Sequence, residues 1–428
     1  MPKKVTIVGG GITGLAAAYR LERITDAEIE LHESSDRLGG KLQTRWKNGF
    51  LIEEGPDCFF ARKPGMMQSI RELGLESETI EPLQKEFFML VDGKLHRVPG
   101  GLVTFTYSSP DAIEKASFLS EEAKERALAE ADHPVGNDED ESLRSFFSRR
   151  FGPEFSRLVA EPLLAGTHAG DPEKLSMGAL YPGYLNLERK HGSLSAGMNQ
   201  AHDAKGASFL SFRGGMETLV TALTGRLTRT RVHLNSRVQG IGDEPTLLAI
   251  PANHAAPLLA DESRHFLEQI GHNTSAIVTL AFNRIDIGHA LDGTGFLVPP
   301  SADLSITGAT WSSRKWAGRA PDDQVLIRVF MGGDRSRLES APDDQLVREA
   351  MDGISGVMGI QGEPHLAEVS RWVKALPQYN VGHLELVGRI EASLPRHIHV
   401  AGTSYRGVGV PDSLRQGLDA AVKIAEQL

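Results

Sequence analysis

Gly9, Gly10, Gly11 and Gly14 fall within six positions of one another, directly after the apolar run Lys4–Val8. Gly9, Gly11 and Gly14 match G-x-G-x-x-G, the pattern of a backbone cradle for a pyrophosphate. The first glycine permits a tight turn, the second lets the backbone approach phosphate, and the third lets a helix pack closely on a strand. Nineteen residues beyond Gly14 stands Glu33, where a carboxylate accepts hydrogen bonds from ribose hydroxyls. A negative charge there disfavours a 2′-phosphate, which argues against NADP. Taken singly, the glycines are a common loop and Glu33 an ordinary strand-end charge; their spacing points to a dinucleotide.

The elements that must position these residues are legible. Lys4–Val8 reads as a buried strand, and a helix from about Ile12 to Arg23 follows, its free N–H groups aimed at the phosphates. "EIELHE" reads as a second strand ending at Glu33. Hairpins are expected around Asn48-Gly49 and Asp92-Gly93, with a short helix in "KPGMMQSIRELGL" between them. Residues 100–200 are mostly helical in pattern; "HPVGNDEDES" reads as a solvated acidic loop and residues 199–208 as a mobile polar loop. "GGMETLVTALTGRL" reads as a helix after a glycine turn, "VHLNSRVQGI" as a strand pair, and "TLLAIPA" as a buried strand. "SAIVTLAF", "GFLVP" and "VLIRVFMG" suggest a separate sheet. His397–Ala401 reads as a strand, and Pro411 opens a long amphipathic helix, as proline does at a first helical turn.

Composition narrows the class. The chain has 428 residues, 40% of them hydrophobic and 24% charged, ordinary for a folded protein of two to four structural units. Its net charge of −10 argues against nucleic-acid binding, whose footprint is basic. The single cysteine, Cys58, excludes an intrachain disulfide framework and multi-cysteine metal or iron–sulfur centres; no metal is expected. A reduced cytoplasmic compartment fits. No signal peptide is visible, and no apolar run approaches the ~18–20 residues of a membrane span; peripheral contact with the inner face of the cell membrane stays open.

After Glu33 comes "SSDRLGGK". With Arg37, Gly39, Gly40 and Lys41 in the arrangement Arg-x-Gly-Gly-Lys, the sequence resembles the flavin-containing amine oxidases, phytoene desaturases and protoporphyrinogen oxidases. The closing "YRGVGVPDSLRQG" is similar to the strand–turn–helix that this superfamily returns to its first sheet, the helix N-terminus facing the flavin. The resemblance implies a Rossmann-like α/β FAD-binding domain, with the FAD held non-covalently. It implies cofactor contacts at Gly9, Gly10, Gly11, Ile12, Thr13, Gly14, Glu33, Ser34, Arg37, Gly40, Lys41, Gly55, Pro56, Asp57, Cys58, Val238, Gly402, Gly409, Val410 and Pro411. Val238 would touch adenine through its backbone. Covalent attachment at Cys58 is not expected, because relatives with covalent flavin use a cysteine near the C-terminus. The implied division is a discontinuous FAD domain (1–60, 205–265, 385–428), a β-rich substrate domain (61–98, 266–384) and a helical insert (99–204) where relatives place a membrane-associated region.

Stretches across the chain, among them "IEEGPDCF", "EPLLAGTHAGDPEKLS", "FRGGMETL" and "PQYNVGH", resemble the Gram-positive coproporphyrinogen oxidase branch. The resemblance implies six-electron oxidation of a porphyrinogen by molecular oxygen, yielding hydrogen peroxide, in heme biosynthesis, with transient contact to the next pathway enzyme. Asp57 stands where mitochondrial-type enzymes carry Arg, and His168 where close relatives carry Tyr. The resemblance assigns catalytic roles to Asp57 and Lys63: Lys63, with Arg62 nearby, would pair with propionates, and Asp57 would meet pyrrole N–H groups or fix Lys63. His168 is a candidate proton acceptor. Each has a bland alternative: a surface lysine, a turn residue, a structural histidine. Trp311, Trp316 and Trp372 read as core or as pocket wall, with core favoured. The rival readings are protoporphyrinogen oxidase, an amine oxidase or carotenoid desaturase, a redox-neutral flavin mutase, and a non-catalytic porphyrin carrier.

Overall fold

The structure is a computed structural model that describes residues 3–103, 106–107, 109–136, 139–201, 209–332 and 337–428. The expected loop at 199–208 therefore lies largely outside the described residues. The chain forms two compact units, one of Met1–Glu81, Ala207–His272 and His383–Leu428, the other of Pro82–Gly206 and Asn273–Gly382.

The first unit is built on a five-stranded parallel sheet. Its strands run in the order Arg231–His233, Glu28–His32, Lys4–Val8, Thr246–Leu248, Ile398–Val400. Strands from both ends of the chain thus share one sheet, with Leu248 opposite both Val8 and Val400. One apolar cluster joins this sheet to the opening helix Ile12–Ile24 and the closing helix Val410–Ala425 through Val5, Leu15, Ala17, Leu414 and Ala421. A second cluster, with Leu248, Ala255, Leu267, Ile390 and Ile398, belongs to the same unit. Residues 61–81 also lie in this unit: Phe59–Phe60 and Thr79–Ile80 flank the strand Phe209–Phe212, and Met66 and Ile70 enter the core around Leu15.

The expected strand pair in "VHLNSRVQGI" does not form. A single strand, Arg231–His233, is present. Asn235 turns into the left-handed region, and the chain then bonds the loop after the second strand, Asn235 N–H to the Ser35 carbonyl and Ser236 N–H to that of Glu33, both at 2.8 Å.

The second unit combines a seven-stranded sheet with a bundle of helices. "SAIVTLAF", "GFLVP" and "VLIRVFMG" all fall in that sheet, whose core takes in the helix Asp343–Met358 through Leu346, Ala350 and Ile354. The helical part packs around Phe146, Phe147, Phe151 and Phe155 and buries the ion pair of Arg150 with Glu130. The acidic loop is not simply solvated. Asp140 accepts from the Ser176 hydroxyl at 2.7 Å and Gly178 N–H at 2.9 Å, and Glu141 accepts from Arg149 at 2.6 Å. Glu141 also accepts from the Ser145 hydroxyl at 2.8 Å, so the two carboxylates tie down the starts of helices Met177–Leu180 and Leu143–Phe151. Trp311 and Trp316 are fully buried; Trp372, on the strand Leu366–Pro377, is half-buried rather than core.

Candidate functional site

The glycine cradle is enforced sterically. Gly9 holds φ +107°, and a Cβ there would sit 2.6 Å from the Ala249 carbonyl oxygen. A Cβ on Gly14 would come within 1.9 Å of the Gly9 carbonyl oxygen, and one on Gly55 within 2.0 Å of that of Lys41. These contacts lie below any real Cβ separation, so the close packing exists only with glycine. Gly11 and Gly40 face each other, a Cβ on Gly40 falling 3.2 Å from the Gly11 Cα. The opening helix begins after Gly11 with no side chain capping it, so its first N–H groups remain for an anion.

Glu33 is half-buried. Its Oε2 accepts from Gly10 N–H at 2.8 Å, and its Oε1 accepts from Ser35 N–H at 2.8 Å and from the hydroxyls of Ser35 and Ser34. The carboxylate is thereby fixed against the glycine loop, where a ribose would lie.

Arg37 turns inward. Its guanidinium donates to the carbonyls of Gly40 and Leu42, to Gln43 and to Glu217. Glu217 in turn accepts from Thr44 N–H at 3.1 Å, and the buried Glu53 accepts from Met216 N–H at 2.7 Å and the Thr44 hydroxyl at 2.8 Å. Arg37 thus clamps the loop through this latch. Lys41 is half-buried and donates to the Thr403 hydroxyl at 3.5 Å; burial lowers its ammonium to about 8. A bound anion beside it would offset that desolvation.

The closing segment meets the opening one. Gly402 holds φ +123°, with the Thr13 Oγ1 3.6 Å from where its Cβ would be, and a Cβ on Gly417 would lie 2.2 Å from the Thr13 carbonyl oxygen. The two terminal helices therefore touch backbone to backbone. The closing helix also begins after a glycine, Gly409, with no side-chain cap, and Pro411 in its first turn. Gln416 accepts from Gly402 N–H at 3.2 Å.

Lys63 Nζ donates to Asp412 Oδ1 at 3.0 Å. Asp412 is buried in the first turn of the closing helix, and the Lys63 side chain is 45% exposed. The partner of Lys63 is thus Asp412 rather than Asp57. The Asp57 carbonyl accepts from the buried Ser211 hydroxyl at 2.7 Å, which fixes the backbone there. Pro56 is exposed, and Asp57 and Cys58 are half-buried. Val238 packs on the cluster around Leu248.

His168 belongs to the second unit. It is buried, and desolvation lowers its imidazole to about 4; its carbonyl accepts from Gln378 Nε2 at 3.1 Å, and its ring lies 6.3 Å from that of Tyr181.

The structure therefore gathers Gly9–Gly14, Glu33, Gly40, Lys41 and the Gly402–Pro411 segment in one unit. The latch residues Thr44, Glu53 and Glu217 and the ion-pair partner Asp412 went unrecognised from sequence. The one available signal was a carboxylate closing an apolar run in "FLIEE" and another following Pro411. Two helix starts free of side-chain caps, glycine loops packed backbone to backbone and a desolvated lysine suit a dinucleotide with an anionic middle.

Comparison with known proteins supplies the rest. A family model described as flavin containing amine oxidoreductase matches residues 12–425. The chain is 32% identical to the coproporphyrinogen III oxidase of Bacillus subtilis, over 97% of this chain and 96% of that protein. It is 28% identical to the mitochondrial protoporphyrinogen oxidase of Nicotiana tabacum, over 98% and 94% respectively. A crystal structure titled putative protoporphyrinogen oxidase, from Exiguobacterium, superposes with TM-score 0.90 at 33% identity, covering 100% of both chains.

Proposed function

This chain belongs to the flavin containing amine oxidoreductase family, and from that membership we propose that it oxidises coproporphyrinogen III to coproporphyrin III. In this reading three O2 are consumed and three H2O2 released per porphyrin, in heme biosynthesis. The observation that carries it is the likeness to the B. subtilis enzyme, which covers 97% of this chain. The alternative substrate, protoporphyrinogen IX, has the weaker support of the 28% identical tobacco enzyme.

FAD, bound without a covalent link, would supply the hydride acceptor for the porphyrinogen's bridging carbons. The chain's own residues bind and orient. The start of the opening helix takes the pyrophosphate, and Glu33 the ribose. The start of the closing helix presents positive potential. Lys63 holds its charge against Asp412 and transfers it to a substrate propionate on binding; its exposure leaves it free to change partner. Asp57, on a backbone pinned by Ser211, accepts from pyrrole N–H groups. His168, uncharged above pH about 4, is the proposed acceptor of a pyrrole proton.

Among the described residues no helix is long and apolar enough to cross a membrane. We place the protein in the cytoplasm, with peripheral membrane attachment and transient contact with the next enzyme of the pathway. Aerobic steady-state oxidation of both porphyrinogens by the purified protein tests the reading. Preference for coproporphyrinogen, with matching peroxide, is expected; preference for protoporphyrinogen would reassign the substrate, and inertness toward both would end the proposal.

A further inference from the structure

The outer strands of the parallel sheet carry a cluster that the cofactor site does not use. His32 pairs with His233 across the two strands, and Glu30 lies two residues before His32. Strand alternation turns Ile29 and Leu31 into the core and leaves Glu30 and His32 on the other face. The two imidazole rings stack with centroids 4.6 Å apart and planes 12° from parallel. One ligand atom from each of the three residues lies within 4.8 Å of the others.

Three features single this cluster out from an ordinary surface patch. His32 Nδ1 is 2.9 Å from the Ser236 hydroxyl; a proton on Nδ1, donated there, leaves the Nε2 lone pair facing Glu30. That Nε2 is 3.7 Å from Glu30 Oε2, too far for a hydrogen bond and close to the roughly 3.3 Å between ligand atoms on a tetrahedral Zn2+ with 2.0–2.1 Å bonds. His233 Nε2 is buried with no hydrogen-bond partner, a lone pair or N–H left unsatisfied, which is uncommon without a ligand.

The surroundings admit a cation. Lys4 Nζ lies 2.9 Å from Glu30 Oε2, and Arg231 lies 3.8 Å from both Glu28 and Glu30. The carboxylates of Glu28, Glu30 and Glu244 outnumber these two cations, and Lys4 is 44% exposed and able to swing away.

We propose that Glu30, His32 and His233 bind one divalent transition-metal ion of the Zn2+ class, with water completing the coordination and Ser236 orienting His32. Imidazole ligands select such ions over Mg2+ or Ca2+. The ion clips the edge strand Arg231–His233 to its neighbour. Because Glu33 N–H donates to the His233 carbonyl at 2.9 Å and Ser236 N–H to that of Glu33 at 2.8 Å, it also stiffens the segment that carries the ribose-facing carboxylate.

The test uses the flavin-loaded full chain, stripped of metals by chelation and titrated with Zn2+ by calorimetry and with Co2+ by visible absorption. One equivalent is expected to bind, with the intense absorption of tetrahedral Co2+. Glu30→Gln and His233→Ala each abolish that absorption, and Ser236→Ala weakens Zn2+ about 10–100-fold, as loss of an orienting partner does. Lys4→Met, which removes the competitor for Glu30, tightens it several-fold. Flavin absorption and circular dichroism report whether each variant is folded, and Ser236→Ala and Lys4→Met stand if the ligand variants are not. No stoichiometric binding, or binding that Ser236→Ala and Lys4→Met leave unchanged, overturns the site.

Discussion

Three helices of the second unit start differently from the two that open and close the chain. In the second unit, serines precede the helices at Glu121, Leu143 and Met177: Ser120, Ser142 and Ser176 accept from the N–H groups of Ala123, Ser145 and Ala179 at 3.2, 3.2 and 2.8 Å. In the first unit, the opening and closing helices start after Gly11 and Gly409, and no side chain caps either. Glycine in place of a polar cap costs only a few tenths of a kcal/mol. Leaving these N–H groups open is therefore cheap, and it keeps them for a ligand. Those three starts are satisfied within the second unit, whereas the two helices of the first unit that meet at Thr13 and Gly417 keep theirs open.

The strongest way to break that contrast is to fill the glycines. Gly14→Val and Gly417→Val place atoms where backbone carbonyls stand 1.9 and 2.2 Å from a first Cβ. Each should cost about 3 kcal/mol or more and yield protein with little bound flavin, read from the flavin-to-protein absorbance ratio and urea unfolding. Gly417 matters most here, since its effect would come from separating two helices rather than from touching the ligand. Full flavin occupancy in Gly417→Val would mean the termini need not pack this way.

Next in size is Lys63→Ala. Loss of a charged hydrogen bond to substrate is worth roughly 1.5–3 kcal/mol, so KM for coproporphyrinogen should rise about tenfold or more. Stability should change by under about 1 kcal/mol, because the Lys63–Asp412 pair is partly exposed and such pairs contribute little. Unchanged turnover and KM would remove Lys63 from the mechanism.

The two units should respond alike to acid. Burial lowers His168 in the second unit and His272 in the first from 6.5 to about 4. Below pH 6.5 the unfolded chain takes up protons that the folded chain refuses. Stability present above that pH is lost as pH falls toward 4, about 2 kcal/mol per histidine by pH 5. His168→Asn and His272→Asn should each flatten the profile of urea midpoint against pH; an unaltered profile would place the acid sensitivity elsewhere.

The smallest effects sharpen the contrast most. Ser142→Ala should cost about 1 kcal/mol and leave flavin affinity alone. Gly409→Ser should leave stability nearly unchanged but weaken flavin binding several-fold, because the new hydroxyl competes for the N–H groups. Equal flavin affinity in the two variants would contradict the reserved-donor account.

Much of the first unit was legible in the sequence because its function is written in backbone chemistry. Gly9, Gly14 and Gly55 are required by contacts that admit no side chain, and such requirements leave fixed spacings. The strands at Lys4–Val8 and Glu28–His32 and the helix opened by Pro411 followed from local pattern. The Arg37–Glu217 clamp and the Lys63–Asp412 pair did not, since they join residues 180 and 349 positions apart with no local signature. The second strand expected in "VHLNSRVQGI" failed because tertiary bonds to the loop after Glu33 competed with strand propensity. In the second unit five of the seven sheet strands were visible, three as apolar runs and two as the hairpin around Asp92-Gly93, while Gly308–Trp311 and Leu366–Pro377 were not. The anchoring of Asp140 and Glu141 was not, because a charged loop looks the same whether solvated or tied to helix starts.

The most direct test of the central claim is anaerobic mixing of the flavin-loaded protein with coproporphyrinogen III while both chromophores are followed. The account predicts that the flavin absorbance bleaches as coproporphyrin appears, one porphyrinogen reducing three flavins, and that air restores the yellow form with peroxide. Flavin absorbance that stays constant in the presence of excess porphyrinogen would contradict it.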